Sequence, residues 1–98
     1  MPQKTINILG STGSIGTNTI DLIAANPNTY KIGSLTAGKN LPLIIEQAKK
    51  LRPEFVAIAD ETQYDDLKSA LSGTGIKCGA GESAIVEASA MNADMTMA

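Results

Sequence analysis

Short apolar segments alternate with longer amphipathic segments along the whole chain, and this alternation limits the fold more than any other feature of the sequence. Apolar runs at residues 6–9 and 54–59 have the length and composition of buried strands, and a further strand is predicted between them at residues 31–36. After each run, apolar residues recur at helical spacing. Strands that alternate with helices form a parallel sheet, because each helix returns the chain to the edge where the next strand begins. The sequence therefore predicts an α/β fold, a Rossmann-like parallel sheet with helices on both faces.

The first predicted helix covers residues 14–25 and ends at Asn26-Pro27, since proline disfavours the helical conformation in the residue before it. Its apolar side chains recur with the period of a helix, which predicts one buried face. That face is expected to consist of Ile15, Thr19, Leu22 and Ile23.

Three further helices complete the pattern. Asn40 is predicted to cap the second helix, which ends before Pro53, because an asparagine side chain accepts a hydrogen bond from an N–H group at a helix start. The other two helices are predicted over residues 62–71 and 82–91.

The last two strands are predicted at residues 76–79 and 94–98. We expect the first strand to be central, with the last strand on the side opposite the second strand. The final apolar run has no turn residue or cap after it. Since domain boundaries are usually polar, residues 1–98 are expected to form one incomplete domain, truncated after the start of a fifth strand.

A glycine-rich loop separates the first strand from the first helix. The loop consists of Gly10, Ser11, Thr12, Gly13, Ser14, Ile15 and Gly16. Its glycines permit a tight exit from the strand, close approach of a phosphate to the backbone and close packing of the helix. The helix start adds unpaired N–H groups and the positive end of the helix dipole. Because the order strand, loop, helix is the required one, we predict that this loop binds the phosphates of a dinucleotide.

The end of the second strand predicts which dinucleotide is bound. In NAD-binding folds an acidic residue about 20 positions after the loop binds the ribose hydroxyls. Here no Asp or Glu lies between Asp21 and Glu46, and the strand is followed by Gly38, Lys39 and Asn40. A lysine and an amide attract a 2′-phosphate, which a carboxylate would repel. We therefore predict NADP rather than NAD as the cofactor, with Lys39 and Asn40 near its 2′-phosphate.

Residues 33–40 also match the P-loop of nucleoside triphosphatases except at the last position. Asn40 stands where the magnesium ion needs a serine or threonine hydroxyl. The match also begins inside the second predicted strand, whereas a P-loop lies between a strand and a helix. Both differences disfavour a triphosphatase.

The composition excludes other classes of partner. The net charge is -2 and aromatic residues make up 3%, so neither a basic surface nor stacking side chains indicate nucleic acid. No apolar run approaches the roughly 20 residues of a membrane span. The first apolar stretch begins at Ile6, which leaves no room for a signal peptide, and Cys78 is the single cysteine. We expect a cytoplasmic protein in which Cys78 is a small strand residue.

The loop at residues 10–16 and the segment Ala37-Gly38-Lys39-Asn40 closely resemble the two N-terminal signatures of 1-deoxy-D-xylulose 5-phosphate reductoisomerases. The resemblance runs from about residue 5 to residue 98. It implies an enzyme that isomerises and reduces the sugar phosphate to 2-C-methyl-D-erythritol 4-phosphate, in the non-mevalonate route to isoprenoids. It also implies NADPH as the reductant, a magnesium or manganese ion and a homodimer.

The same resemblance assigns roles to individual residues. Thr12, Gly13, Ser14 and Ile15 would cradle the phosphates of NADPH. Gly38, Lys39 and Asn40 would hold its 2′-phosphate.

No catalytic or metal-binding residue is predicted in this chain. It contains no histidine, and Asp65 and Asp66 are adjacent on a predicted helix, so that their side chains point apart. The chain alone is therefore expected to bind the cofactor at most. The alternative is a stand-alone NADP-binding or sensing module without catalysis. A reading frame that continues into further strands and acidic motifs would favour the enzyme, and a stop codon directly after Ala98 in an intact genome would favour the module.

Overall fold

The computed structural model describes residues 3–97, which form a five-stranded sheet and four α-helices. The strands are β1 (Lys4–Ile8), β2 (Tyr30–Ala37), β3 (Phe55–Ile58), β4 (Lys77–Ala80) and β5 (Met95–Met97). The helices are α1 (Ser14–Ala24), α2 (Leu41–Leu51), α3 (Tyr64–Ala70) and α4 (Glu82–Ala90), and a 3-10 turn (Glu61–Gln63) precedes α3.

All four strand pairs are parallel, and the order across the sheet is β4-β3-β2-β1-β5. Ile6 of β1 pairs with Ile32 of β2 on one side and with Met95 of β5 on the other. The predicted parallel fold and the predicted place of the fifth strand are therefore confirmed. The middle strand of the five is β2 rather than β1. Residue 98 of the predicted last strand lies outside the described residues.

Helices cover both faces of the sheet, as predicted. The connections through α1, α2 and α3 all advance in one direction across the sheet, whereas α4 leads back to β5, and right-handed crossovers then require opposite faces. The side chains of β3 alternate accordingly. Val56 and Ile58 join a core with Ile20, Ile23, Ile44, Ala48 and Leu67 from the first three helices. Phe55 and Ala57 pack against Ala84 and Ala88 of α4.

The pairing of β1 with β2 shifts by one residue. Ile6 pairs with Ile32 but Asn7 pairs with Ser34, so Gly33 is an extra residue in β2. A Cβ atom at Gly33 would lie 2.4 Å from the Oδ1 atom of Asn7, which is buried. Asn7 donates from Nδ2 to the carbonyl of Met91, 2.8 Å away, which ties β1 to the segment after α4.

The buried face of α1 differs from the predicted one. Gly16, Ile20 and Ile23 are buried, whereas Ile15 and Leu22 are 74% and 62% exposed. Both sets follow helical spacing, but only the set that begins with glycine lets the helix start lie against the loop before it. The predicted face was therefore wrong at Ile15 and Leu22 and right at Ile23, and Thr19 is half-buried.

The two isoleucines of α1 give a matched test of this orientation. Ile20→Ala should lower the free energy of unfolding by about 2–5 kcal/mol, because it leaves a cavity in the core. Ile15→Ala should change it by less than about 0.5 kcal/mol, because the side chain is exposed. Urea unfolding of both variants measures the difference. A loss at Ile15 equal to that at Ile20 would contradict the orientation of α1.

Candidate functional site

Two loops that follow adjacent strands meet at the carboxyl edge of the sheet. The loop at residues 10–16 follows β1, and the turn at residues 38–40 follows β2. Because the strands are parallel, both loops emerge at the same edge. A cleft of about 310 Å³ is lined by Gly10, Gly13, Ser14, Ile15 and Gly16, with Ile8, Leu9, Thr19 and Met97. A second cleft, of about 410 Å³, is lined by Gly38, Lys39, Ala59, Asp60, Glu61 and Thr62.

Two glycines determine the path of the first loop. Gly10 has a φ angle of +74°, a conformation that side chains rarely adopt. A Cβ atom at Gly16 would lie 2.4 Å from the carbonyl oxygen of Gly10 and 2.8 Å from the Cα atom of Ser11. The sequence predicts close packing of Gly16 against the sheet, and the structure places this contact on the backbone of the loop itself.

The start of α1 leaves N–H groups free. Gly13 occupies the N-cap position and has no side chain to accept a hydrogen bond. The first amide with a partner is that of Thr17, which donates to the carbonyl of Gly13 over 2.8 Å. Within residues 3–97 the amides of Ser14, Ile15 and Gly16 donate to no acceptor. Since Gly13 and Ser14 are exposed, an anion has access to the positive end of this helix.

The hydroxyl groups of the loop serve different purposes. Ser11 is completely buried, and its Oγ donates to Oε1 of Gln47 over 2.7 Å. Its hydroxyl is therefore turned into the protein, away from the cleft. Thr12 is half-buried and Ser14 is exposed, so these two hydroxyls remain near the surface of the site.

The second cleft lies at the start of α2. Gly38, Lys39 and Asn40 are all exposed. Asn40 caps the helix as predicted, since its Oδ1 accepts from the amide of Leu43 at 3.4 Å. This bond uses only the oxygen and leaves the Asn40 amide nitrogen as a donor. The turn thus presents an ammonium group and an amide next to a helix N-terminus.

Asp60 is a residue of this cleft that the sequence reasoning missed. Its amide donates to the carbonyl of Gly38 over 3.2 Å, which attaches the end of β3 to the turn. Its side chain accepts from the hydroxyl and the amide of Thr62, at 2.5 and 3.0 Å. These bonds, with a smaller contribution from Lys39, hold the pKa of the Asp60 carboxyl below its usual value. The sequence did not indicate Asp60 because it follows the third strand, whereas the acid that binds the ribose in NAD-binding folds follows the second strand.

A further cleft of about 340 Å³ lies at the opposite edge of the sheet, with Lys31, Lys50 and Arg52 among its lining residues. Lys31 is paired with Glu54 at 3.5 Å. The helices end at this edge, so that their dipoles place partial negative charge there. The cleft also lacks a glycine loop, and it is a poorer anion site than the carboxyl edge.

Between residues 3 and 97, no three His, Cys, Asp or Glu side chains are grouped so that they could hold a metal ion. In the same range, no helix is both long and apolar enough to cross a membrane. Cys78 lies half-buried in β4, where burial raises the pKa of its thiol.

The fold and the two clefts define a Rossmann-like α/β protein. The sequence profile of the family described as 1-deoxy-D-xylulose 5-phosphate reductoisomerase matches residues 6–98. The chain therefore belongs to the 1-deoxy-D-xylulose 5-phosphate reductoisomerase family.

Individual relatives agree with this assignment. The reductoisomerase of Gluconobacter oxydans is 48% identical over 96 residues, which are 98% of this chain and 24% of that protein. The reductoisomerase of Rhodospirillum centenum is also 48% identical, over 97% of this chain and 24% of its own length. The chain thus spans about a quarter of the length of these relatives.

Solved structures show the same fold. The Zymomonas mobilis reductoisomerase in complex with NADPH matches with a TM-score of 0.96 and 43% identity, over 99% of this chain and 26% of that chain. A reductoisomerase in complex with NADPH, fosmidomycin and magnesium matches with a TM-score of 0.85 and 25% identity, over 95% of this chain and 23% of that chain.

The contact of Gly16 with the loop leads to a prediction for stability. Gly16→Ala should lower the free energy of unfolding by about 1–3 kcal/mol, since the loop backbone must move to admit a methyl group. The higher helix propensity of alanine, worth about 1 kcal/mol, offsets part of this loss. Urea unfolding measures the change. Gly38→Ala is the control, because a Cβ atom there would meet nothing within 4 Å. Equal losses in the two variants would contradict the close contact at Gly16.

Proposed function

We propose that this chain is the NADPH-binding N-terminal segment of an enzyme that isomerises and reduces 1-deoxy-D-xylulose 5-phosphate to 2-C-methyl-D-erythritol 4-phosphate. One observation carries the proposal. An uncapped helix start after β1 and a lysine-bearing turn after β2 lie at one edge of the sheet. A dinucleotide with a 2′-phosphate carries an anionic group for each of these two elements. The match to the Zymomonas mobilis enzyme, which was solved with NADPH, supports the choice of cofactor.

In this proposal the first loop binds the pyrophosphate. The free amides of Ser14, Ile15 and Gly16 donate to the phosphate oxygens, and Gly13 permits their close approach. Thr12 and Ser14 add hydroxyl donors. Gly10 and Gly16 shape the loop, and Ser11 contributes from inside the protein rather than by contact with the cofactor.

The turn after β2 binds the 2′-phosphate of the adenosine ribose. Lys39 supplies the positive charge, while Gly38 and Asn40 supply backbone and side-chain donors. Asp60 lines the same cleft and carries a negative charge close enough to be influenced by Lys39. The bonds to Thr62 hold the Asp60 carboxylate as the N-cap of the 3-10 turn that follows, which limits its repulsion of the phosphate.

The remaining chemistry belongs to the part of the enzyme that this chain does not include. NADPH, when bound, supplies the hydride for the reduction. A divalent metal is expected in the intact enzyme, and related reductoisomerases have been solved with magnesium. Residues 3–97 offer no cluster of ligands for such an ion. The chain alone should therefore bind the cofactor without catalysing the reaction.

We place the intact protein in the cytoplasm, as a homodimer that binds a sugar phosphate and neither nucleic acid nor a membrane. Within this chain, the single cysteine agrees with a reducing compartment, and the net charge of -2 disfavours nucleic acid.

Titration of the chain with NADPH and NADH tests the cofactor site. Lys39→Ala should raise the dissociation constant for NADPH by about 10- to 150-fold, because a charge-assisted contact contributes roughly 1.5–3 kcal/mol. The exposure of Lys39 places the expected effect near the lower figure. The affinity for NADH should hardly change, since NADH has no 2′-phosphate.

Lys49→Ala is the matched control for this titration. It removes the same charge from an exposed position in the last turn of α2, far along the helix from the turn. It should leave both dissociation constants within about twofold of the wild type, because exposed charges are screened by salt over about 10 Å. Equal weakening of NADPH binding and NADH binding by Lys39→Ala would contradict the assignment of Lys39 to the 2′-phosphate. Failure of the wild-type chain to bind NADPH would contradict the proposed function itself.

A further inference from the structure

Gln47 places a polar amide in the interior of the protein. It lies on the inward face of α2, between the buried residues Ile44 and Ala48, and is only 4% exposed. A buried amide is costly unless its donor and acceptor are both satisfied. The sequence pattern of α2 predicts an apolar face and gives no role to this glutamine, so its partners indicate what it does.

Both polar atoms of Gln47 are bonded to a single residue of the glycine loop. Its Nε2 donates to the carbonyl oxygen of Ser11 over 2.9 Å, and its Oε1 accepts from the Ser11 hydroxyl at 2.7 Å. Ser11 is itself completely buried. The pair fixes the position and the orientation of Ser11 against α2, because two bonds leave no freedom to rotate about either one.

Ser11 is also held by the end of β2. Its amide donates to the carbonyl of Thr36 over 2.8 Å, and the amide of Gly10 donates to the Thr36 hydroxyl over 2.8 Å. Thr36 precedes the turn at residues 38–40, and Gln47 lies in the helix that follows it. The glycine loop is therefore attached on both sides of that turn.

We propose that Gln47 is a positioning residue for the cofactor site and acts through Ser11. It sets the loop that takes the pyrophosphate at a fixed distance from the turn that takes the 2′-phosphate. The inference rests on the proposed NADPH site. Gln47, an interior residue of α2, sets the position of the loop relative to the turn, although Gln47 itself does not touch the cofactor.

The position of Ser11 matters because the start of α1 rests on it. Gly16 lies against the backbone of Gly10 and Ser11, in a contact too close for a Cβ atom. A displacement of Ser11 thus moves the free amides at the start of α1. The turn has separate supports, since Leu41 donates to the Lys39 carbonyl and Asp60 to that of Gly38, at 2.8 and 3.2 Å. Loss of Gln47 should loosen the loop, which keeps its bonds to Thr36, and should leave the turn in place.

The test compares a ligand that uses both elements with one that uses only the turn. Gln47→Met keeps the volume and the helix propensity nearly unchanged and removes both bonds to Ser11. NADPH should bind about 10-fold more weakly to this variant, a factor that corresponds to about 1.4 kcal/mol. Adenosine 2′-phosphate, which reaches only the turn at residues 38–40, should bind as it does to the wild type. Titrations followed by NMR measure both dissociation constants.

Two further variants separate positioning from general stability. Ile44→Val removes one buried methylene from α2 without touching Ser11. It should lower the melting temperature and leave NADPH binding unchanged. Ser11→Ala removes the hydroxyl that donates to Gln47 at 2.7 Å and to the Thr36 carbonyl at 3.3 Å. It should weaken NADPH binding by about threefold. In the double variant, Ser11→Ala should weaken NADPH binding little beyond the effect of Gln47→Met, because the two residues act as one pair.

The outcomes distinguish this inference from the site on which it rests. The inference is overturned if a folded Gln47→Met chain binds NADPH as tightly as the wild type does. It is also overturned if the variant binds adenosine 2′-phosphate and NADPH more weakly by the same factor. If Gln47→Met does not fold, Ser11→Ala decides the question by the same comparison of ligands. Failure of the wild-type chain to bind NADPH overturns the proposed function, and the inference falls with it.

Discussion

The close contact between the start of α1 and the backbone of its preceding loop is the constraint on which the site depends. Because Gly16 has no side chain, the start of α1 packs directly against the backbone of Gly10 and Ser11. This contact rotates α1 so that Ile20 and Ile23 enter the core. It also brings the uncapped end of the helix to the carboxyl edge, beside the turn after β2. One local steric feature thus decides both the packing of the helix and the direction of its free amides.

Polar contacts, rather than apolar ones, connect this loop to the rest of the protein. Ser11, Thr36 and Gln47 are buried, and each makes hydrogen bonds to or from the loop. Apolar packing tolerates small shifts, whereas a hydrogen bond weakens steeply with changes in distance and angle. The interior therefore uses directional bonds to hold this loop and apolar packing between α2, α3 and the sheet.

Much of the architecture was predictable from sequence because it depends on local pattern and on general rules of chain connection. The strands, the parallel order, the place of β5 and the Asn40 cap all follow from such rules. The buried face of α1 was not predictable, since two sets of residues fit the same period and only the contact at Gly16 selects one. Periodicity measures the spacing of apolar residues and contains no term for how closely two backbones approach.

The polar partners in the site were hidden for a different reason. Ser11 and Gln47 lie 36 positions apart in sequence, and Asp60 meets Gly38 only because β3 lies beside β2. These contacts form only in the tertiary fold, and no local sequence motif predicts them. The motifs did locate the two loops at the carboxyl edge. The roles of the individual residues as cofactor ligands stay predictions.

The extra residue at Gly33 lets β2 present Ile32 and Leu35 to the same face of the sheet. Both face the core of the first three helices although they are three positions apart. Strict alternation along a strand would send them to opposite faces. Removal of Gly33 would restore a regular ladder and leave Leu35 and Thr36 on their present faces, because Ser34 already pairs with Asn7. The Thr36 hydroxyl would still meet the amide of Gly10. A single codon lost at this point of the strand would thus leave the loop at its end attached.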